Sequence, residues 1–206
     1  MVEYTLKEVF ANNYPMIIIF TVVLVTIRIA YLIANKVQFK LYRELFMLSF
    51  VLYSMILFYV VTFQDANYGT NNFIPFKEIM RYEIGSSYFI HNVLGNIIMF
   101  IPFGFFVSYI VSSKKPHYIL IITLMSSIAI EGTQILIGRT FDVDDVLLNI
   151  VGGFIGYLIY LILQLIYDKL PGILKKTWFK NILLILIIIG IIVLYFNTTL
   201  WGIIRW

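Results

Sequence analysis

The feature that most constrains this chain is the recurrence of apolar runs long enough to cross a bilayer. Six stretches, approximately 15–34, 45–63, 89–112, 117–137, 145–167 and 181–200, are nearly free of charge. A hydrocarbon core of about 30 Å is crossed by about 20 apolar residues in a helix. Within lipid every backbone polar group must find a partner inside its own segment or barrel. Runs of this length predict an all-α, polytopic membrane helical bundle with about six spans. Composition points the same way: 61% of residues are apolar and 13% charged, against roughly 45–50% and 25% for soluble domains. With a mean hydropathy of +0.93, the chain carries more apolar surface than one core of this size buries, so the remainder faces lipid. Cysteine is absent, which excludes disulfides and thiolate chemistry.

The net charge of +4 does not mark a nucleic-acid partner, because the basic residues sit between the apolar runs. Their placement orients the bundle instead. Lys36, Lys40, Arg43, Lys114, Lys115, Lys169, Lys175, Lys176 and Lys180 fall on one side, and Lys7, Lys77, Arg81, Arg139 and Arg205 on the other. The richer side is expected to be cytoplasmic, which puts both termini outside. Arg28 lies within the first span and is expected to snorkel to the basic side. The opening segment carries Glu3 and Glu8 and no basic stretch, so it does not read as a cleaved signal peptide. Its Val2, Leu6, Val9 and Phe10 suit an interfacial turn, and Pro15 suits the first turn of the first span. No repeat is visible, and the longest stretch between spans is too short to be a domain. A single membrane domain is expected over 1–206.

Polar residues inside the spans are the informative ones, because each is expensive in lipid. The third span opens with His91, Asn92 and Asn96, the fourth closes on Glu131 and Gln134 followed by Gly138-Arg139, and the fifth is preceded by Asp142 and Asp144, opens on Asp145 and includes Asn149. All lie toward the outer face. At 1.5 Å per helical residue, Asn96, Glu131 and Asn149 fall roughly 10, 9 and 6 Å deep. Three antiparallel spans thus bring an amide, a carboxyl and another amide to similar depth. Asn92 and Asn96 share a helix face, as do Glu131 and Gln134. Each residue also has a packing reading. Glu131 can be a protonated carboxyl bonded to a neighbouring amide, and the asparagines can be interhelical glue. Asp142 suits a cap, with Asp144 and Asp145 in the first turn. Arg139 suits an interfacial anchor.

Gly152 and Gly156 form a G-x-x-x-G on the fifth span, with Gly153 beside them, a pattern that favours close helix packing. Pro102 inside the third span frees the Ile98 carbonyl, so a kink is expected there. The loop Asn71-Asn72-Phe73-Ile74-Pro75-Phe76 is apolar around one proline. It is expected to dip into the outer interface and cover the polar cluster.

These residues resemble the VanZ family of bacterial membrane proteins. The resemblance rests on four parts in order: Asn72-Phe73-Ile74-Pro75-Phe76; Asn92-x-x-Gly95-Asn96-x-x-x-Phe100-x-Pro102-x-Gly104; Glu131-x-x-Gln134; and Gly138-Arg139-x-x-Asp142-x-Asp144-Asp145-x-x-x-Asn149-x-x-Gly152. It covers roughly residues 63–160, leaving 1–62 and the span at 181–200 outside it. It implies a multi-pass protein of the bacterial cell membrane, of a type associated with resistance to the lipoglycopeptide teicoplanin. It supplies no reaction.

Several membrane chemistries are excluded by residue type. The only histidines, His91 and His117, fall on opposite sides of the membrane, so neither a shared zinc site nor a paired-histidine phosphatase fits. Ser126 and Ser127 have no histidine at their depth, and no phosphate-binding glycine loop is present. The candidate ligand-binding residues are Asn92, Asn96, Glu131, Gln134, Arg139, Asp142, Asp145 and Asn149. No cofactor and no metal site is assigned, although the carboxyls would suit a hard cation and Arg139 a phosphate. The expected activity is binding of a membrane lipid, a lipoglycopeptide or a lipid-linked envelope ligand at the outer cluster. The alternatives are a membrane-embedded, metal-assisted hydrolase or transferase acting on a head group, and a lipid or small-molecule transporter. The cytoplasmic half shows no polar track that would match transport.

Overall fold

The structure, a computed structural model, describes residues 2–63 and 70–189. Its elements are α1 (Val2–Ala34), α2 (Leu41–Phe63), the short α3 (Lys77–Arg81), a π-helical turn (Phe89–Leu94) that runs into α4 (Gly95–Val111), α5 (Pro116–Leu136), α6 (Val143–Lys169), the short α7 (Gly172–Lys175) and α8 (Thr177–Ile189). Four segments are long and apolar enough to cross a membrane, namely Leu41–Val60, Phe89–Val111, Pro116–Leu136 and Val143–Lys169. Ile18–Ala34 and Thr177–Ile189 are apolar but shorter. The protein is thus an all-α membrane bundle. The second half of the expected sixth span, 190–200, lies outside the described residues.

Pro15 sits inside α1 rather than at its start. Its ring holds a helical φ, and the helix continues past one missing N–H, so the opening segment and the first span form one rod. Elsewhere the ends follow local chemistry. Pro116 occupies the first turn of α5, where its lack of an N–H costs nothing. Asp142 caps α6 by accepting the Asp144 N–H at 2.8 Å.

The bundle is organised around α4 and α6, which touch backbone to backbone. A Cβ added at Gly104 would strike the Gly153 carbonyl, one at Gly152 the Ile97 carbonyl, and one at Gly156 the Ile101 carbonyl and the Phe105 nitrogen. The G-x-x-x-G pattern is therefore a packing seam. Gly104 sits two residues beyond Pro102 in a helix that is continuous from Gly95 to Val111, at the point of tightest contact with α6. Around the seam lies a core of Leu57, Phe100, Phe103, Val107, Ile119, Ile130 and Tyr157. Helix α2 packs on α4 through rings: Phe46 lies 4.7 Å from Phe106 and 4.3 Å from Tyr109. The Tyr53 hydroxyl donates to the Met99 carbonyl.

Arg28 reaches toward the α1–α2 loop, as expected, and meets a counter-ion there. It grips Glu44 of α2 with two bonds, Nε to Oε2 at 2.7 Å and Nη2 to Oε1 at 3.2 Å. The bidentate pair, with the Arg28 side chain 36% exposed, joins α1 to α2. The start of α8 is held on the same end of the bundle. Asn181 Oδ1 accepts the Tyr42 N–H, and Lys180 donates to the Tyr167 hydroxyl at 2.8 Å while lying over the Tyr42 ring.

Candidate functional site

Helices α5 and α6 run antiparallel, and their register sets the site. Thr123 lies against Gly153, Ser127 bonds Asn149, and Glu131 reaches the start of α6. The side chains at 123, 127 and 131 fall one turn apart on one face of α5, and all three are buried. The polar residues of the two helices therefore form a ladder rather than a single level.

The top of the ladder is the larger part. Glu131 is 1% exposed, and its Oε2 accepts the Asp142 N–H at 3.0 Å. Asp142 Oδ1 accepts from the Asp144 N–H and from Asn72 Nδ2 at 2.9 Å. Burial pushes the Asp142 carboxyl above its ordinary range, against the pull of the Asp144 N–H and the Asn72 amide, while the neighbouring charges of Asp144 and Glu78 add to the rise. Asp145 Oδ1 accepts from Asn96 Nδ2 at 2.5 Å, which ties α6 to α4. Arg139 is half-buried in the turn after α5, and its charge acts on both Glu131 and Asp145. Gln134 is buried, and its carbonyl accepts the Arg139 N–H at 2.9 Å, which closes that turn.

The loop before α3 is clamped onto this layer. Asn72 forms a parallel bridge with Asp142, exchanging N–H to Phe141 O at 2.8 Å and O from Val143 N at 3.0 Å. Asp144 is 1% exposed, and its carboxylate collects three backbone N–H groups, from Phe76 at 2.5 Å, Glu78 at 2.8 Å and Ile79 at 3.2 Å. Phe76 is held at φ 67, a left-handed conformation that a bulky side chain rarely adopts. The turn presents its N–H groups to Asp144, and those bonds offset the strain.

Beneath this clamp lies a cavity of about 50 Å³ lined by Glu78, Ile79, Tyr82, Asn92, Val93, Asp142, Asp144, Asp145 and Leu148. Asn92 reaches it from the π-helical turn, an irregularity that often marks functional positions in helices. Four carboxyl side chains line one small space, so the site is acidic and rich in hydrogen-bond acceptors. His91 is exposed and bonds Ser87 O at 2.7 Å, away from the cavity.

Of the eight expected residues, Asn92, Asp142 and Asp145 line the cavity; Asn96, Glu131 and Arg139 act on its wall; and Gln134 closes the adjoining turn. Asn149 stands apart. It is buried one turn deeper, where Nδ2 donates to Ser127 Oγ at 2.9 Å and Oδ1 has no partner among the described residues. The expected convergence of Asn96, Glu131 and Asn149 thus divides into two layers, because residues 145 and 149 on α6 meet different turns of α5. Thr123 Oγ1 is also buried without a partner among the described residues, so polar groups extend to about the middle of α5.

Asn72, Glu78, Tyr82 and Asp144 were not among the expected ligand-binding residues. Asn72 and Asp144 stand within the loop and acidic motifs, and the contact between those motifs identifies their role. Among the described residues no three acidic or imidazole groups converge as metal ligands. Asp142 Oδ1 and both oxygens of Asp144 accept N–H donors of the protein.

A family model described as VanZ/LLP1 matches residues 46–164. The match begins earlier than the motif region 63–160 and takes in most of α2. No curated protein and no solved structure matches the chain.

Proposed function

The chain belongs to the VanZ/LLP1 family, and we propose that it is a multi-pass protein of the bacterial cell membrane that binds a lipid or lipid-linked ligand through its outer polar layer. Lipoglycopeptides such as teicoplanin belong to that ligand class, and lower susceptibility to them is the expected outcome. The observation that carries this reading is the cavity walled by Glu78, Tyr82, Asn92, Asp142, Asp144 and Asp145 at the loop end of α4 and α6. Carboxylates and amides so placed recognise amines and hydroxyls by charge-assisted hydrogen bonds. A water molecule occupies about 30 Å³ of liquid, so the cavity takes one ammonium or hydroxyl group, not a whole molecule. The rest of an amphiphilic ligand would lie outside it, along the apolar flanks of the helices.

The test is teicoplanin susceptibility of a sensitive host that expresses the wild type, Glu131→Gln or Asp145→Asn at matched membrane levels, beside an empty vector. Gln at 131 keeps an oxygen for the Asp142 N–H, and Asn at 145 keeps one for Asn96, so both variants retain the packing and lose a carboxylate. Protection by the wild type that is lost in the variants supports the reading. Equal protection by all three removes the cluster as the working site. No protection by the wild type removes lipoglycopeptides from the ligand class.

A further inference from the structure

We infer that the segment from Phe73 to Tyr88 is immersed in the lipid head-group region, as an interfacial platform above the acidic cavity. Six large apolar side chains project from it: Phe73, Ile74, Phe76, Met80, Ile84 and Tyr88, each between 53% and 86% exposed. The sequence marked only the stretch around Pro75, whereas the folded segment continues this surface through α3 to the start of the π-helical turn.

The tether explains why these side chains cannot turn inward. The backbone of the segment spends its N–H groups on Asp144, and Asn72 is bonded to Asp142. Its polar side therefore faces the bundle and its apolar side faces away. In water, an exposed apolar surface of this extent is unusual for a protein and marks a binding partner.

Continuity identifies that partner as lipid. The surface leads into the exposed flank of the spanning helix, at Ile90, two residues after Tyr88, and at Ile98 about two turns further on. It lies at the end of the bundle where α6 begins. Lys77 is exposed on α3, as is Arg81, which pairs with Glu78 at 3.1 Å, and both lie at the level where head groups would meet them. Large apolar side chains interleaved with charged ones in a short segment suit the head-group boundary. This inference goes beyond the ligand reading above and does not depend on it.

The chain has no cysteine, so Met80→Cys and Ile84→Cys each create one labelling site. The full-length variants would be labelled with an environment-sensitive fluorophore in phospholipid nanodiscs, with Lys114→Cys in the α4–α5 turn as the aqueous reference. Two quenchers are compared, aqueous iodide and phospholipid bearing a nitroxide near the head group. The expected result at 80 and 84 is blue-shifted emission, with strong quenching by the lipid nitroxide and at least a severalfold weaker response to iodide than at 114. Iodide quenching equal to that at 114 would place the segment in water and overturn the inference. Shielding from both quenchers would show a protein cover, such as a second copy, and would overturn it equally.

Discussion

Replacing Asp144 by alanine should release the loop segment without unfolding the bundle. The carboxylate accepts three backbone N–H groups at 2.5, 2.8 and 3.2 Å. Hydrogen bonds to a charged group are worth about 1.5–3 kcal/mol each, and even the lower figure gives roughly 4.5 kcal/mol for three bonds. The freed amides of the loop regain water when they open, so about 3 kcal/mol of local stability should be lost, equivalent to about a hundredfold in the opening equilibrium. The assay is hydrogen–deuterium exchange of the protein in nanodiscs, read at the amides of Phe76, Glu78 and Ile79. Asp144→Asn keeps one acceptor oxygen and should fall between the alanine variant and the wild type. Amides in the middle of α4 and α6 should not change. Exchange at the three amides within about threefold of wild type would show that the loop holds itself, and would refute the clamp as the source of its order.

Three further outcomes follow from the same structure. Gly156→Ala places a Cβ against the Ile101 carbonyl and the Phe105 nitrogen and should cost about 1–3 kcal/mol in thermal or denaturant unfolding, whereas Gly132→Ala, with nothing within 4 Å, should gain about 0.5–1 kcal/mol. Thr123→Val removes a buried hydroxyl that has no described partner and should leave stability unchanged or raise it by about 1 kcal/mol, so a loss of that size would show the hydroxyl to be bonded. Burial raises the Asp142 carboxyl above its unfolded value of 3.8, so the folded state holds its proton more tightly. That contribution is complete below 3.8 and is lost as pH rises through the folded value. The wild type should therefore lose melting temperature relative to Asp142→Asn as pH rises from about 4, and parallel melting curves would refute the assignment.

The helices were legible because each apolar run is a local signal. The length of Pro116–Leu136 or of Val143–Lys169 needs no knowledge of neighbours. The glycine seam was legible for a similar reason, since small residues one turn apart on an apolar helix have few uses other than close packing. What the sequence could not display was pairing between distant segments. The bond of Asn72 to Asp142 spans 70 positions, and no periodicity announces it. Asp144 looks like any acidic residue in a first helical turn until the Phe76–Ile79 backbone is placed above it. The neighbour of Asn149 was hidden for a finer reason. Depth along one helix does not fix its register against the next, and a shift of one turn between α5 and α6 places Asn149 against Ser127 rather than Glu131. The partner of Arg28 was hidden because nothing local shows that Glu44, on the next helix, faces it.

The Arg28–Glu44 pair bears on how the protein is made. The two residues are 16 positions apart, and at roughly 5–20 residues per second the second follows the first from the ribosome by about one to three seconds. A lone arginine near the centre of a segment raises its insertion free energy by about 2.5–3.5 kcal/mol, with a smaller rise toward the segment end. During that interval α1 carries an uncompensated charge and is a poor candidate for release into lipid. Once Glu44 arrives, its carboxylate offsets the Arg28 charge and joins the two helices. The ion pair would thereby favour entry of the first helix into lipid together with the second rather than ahead of it.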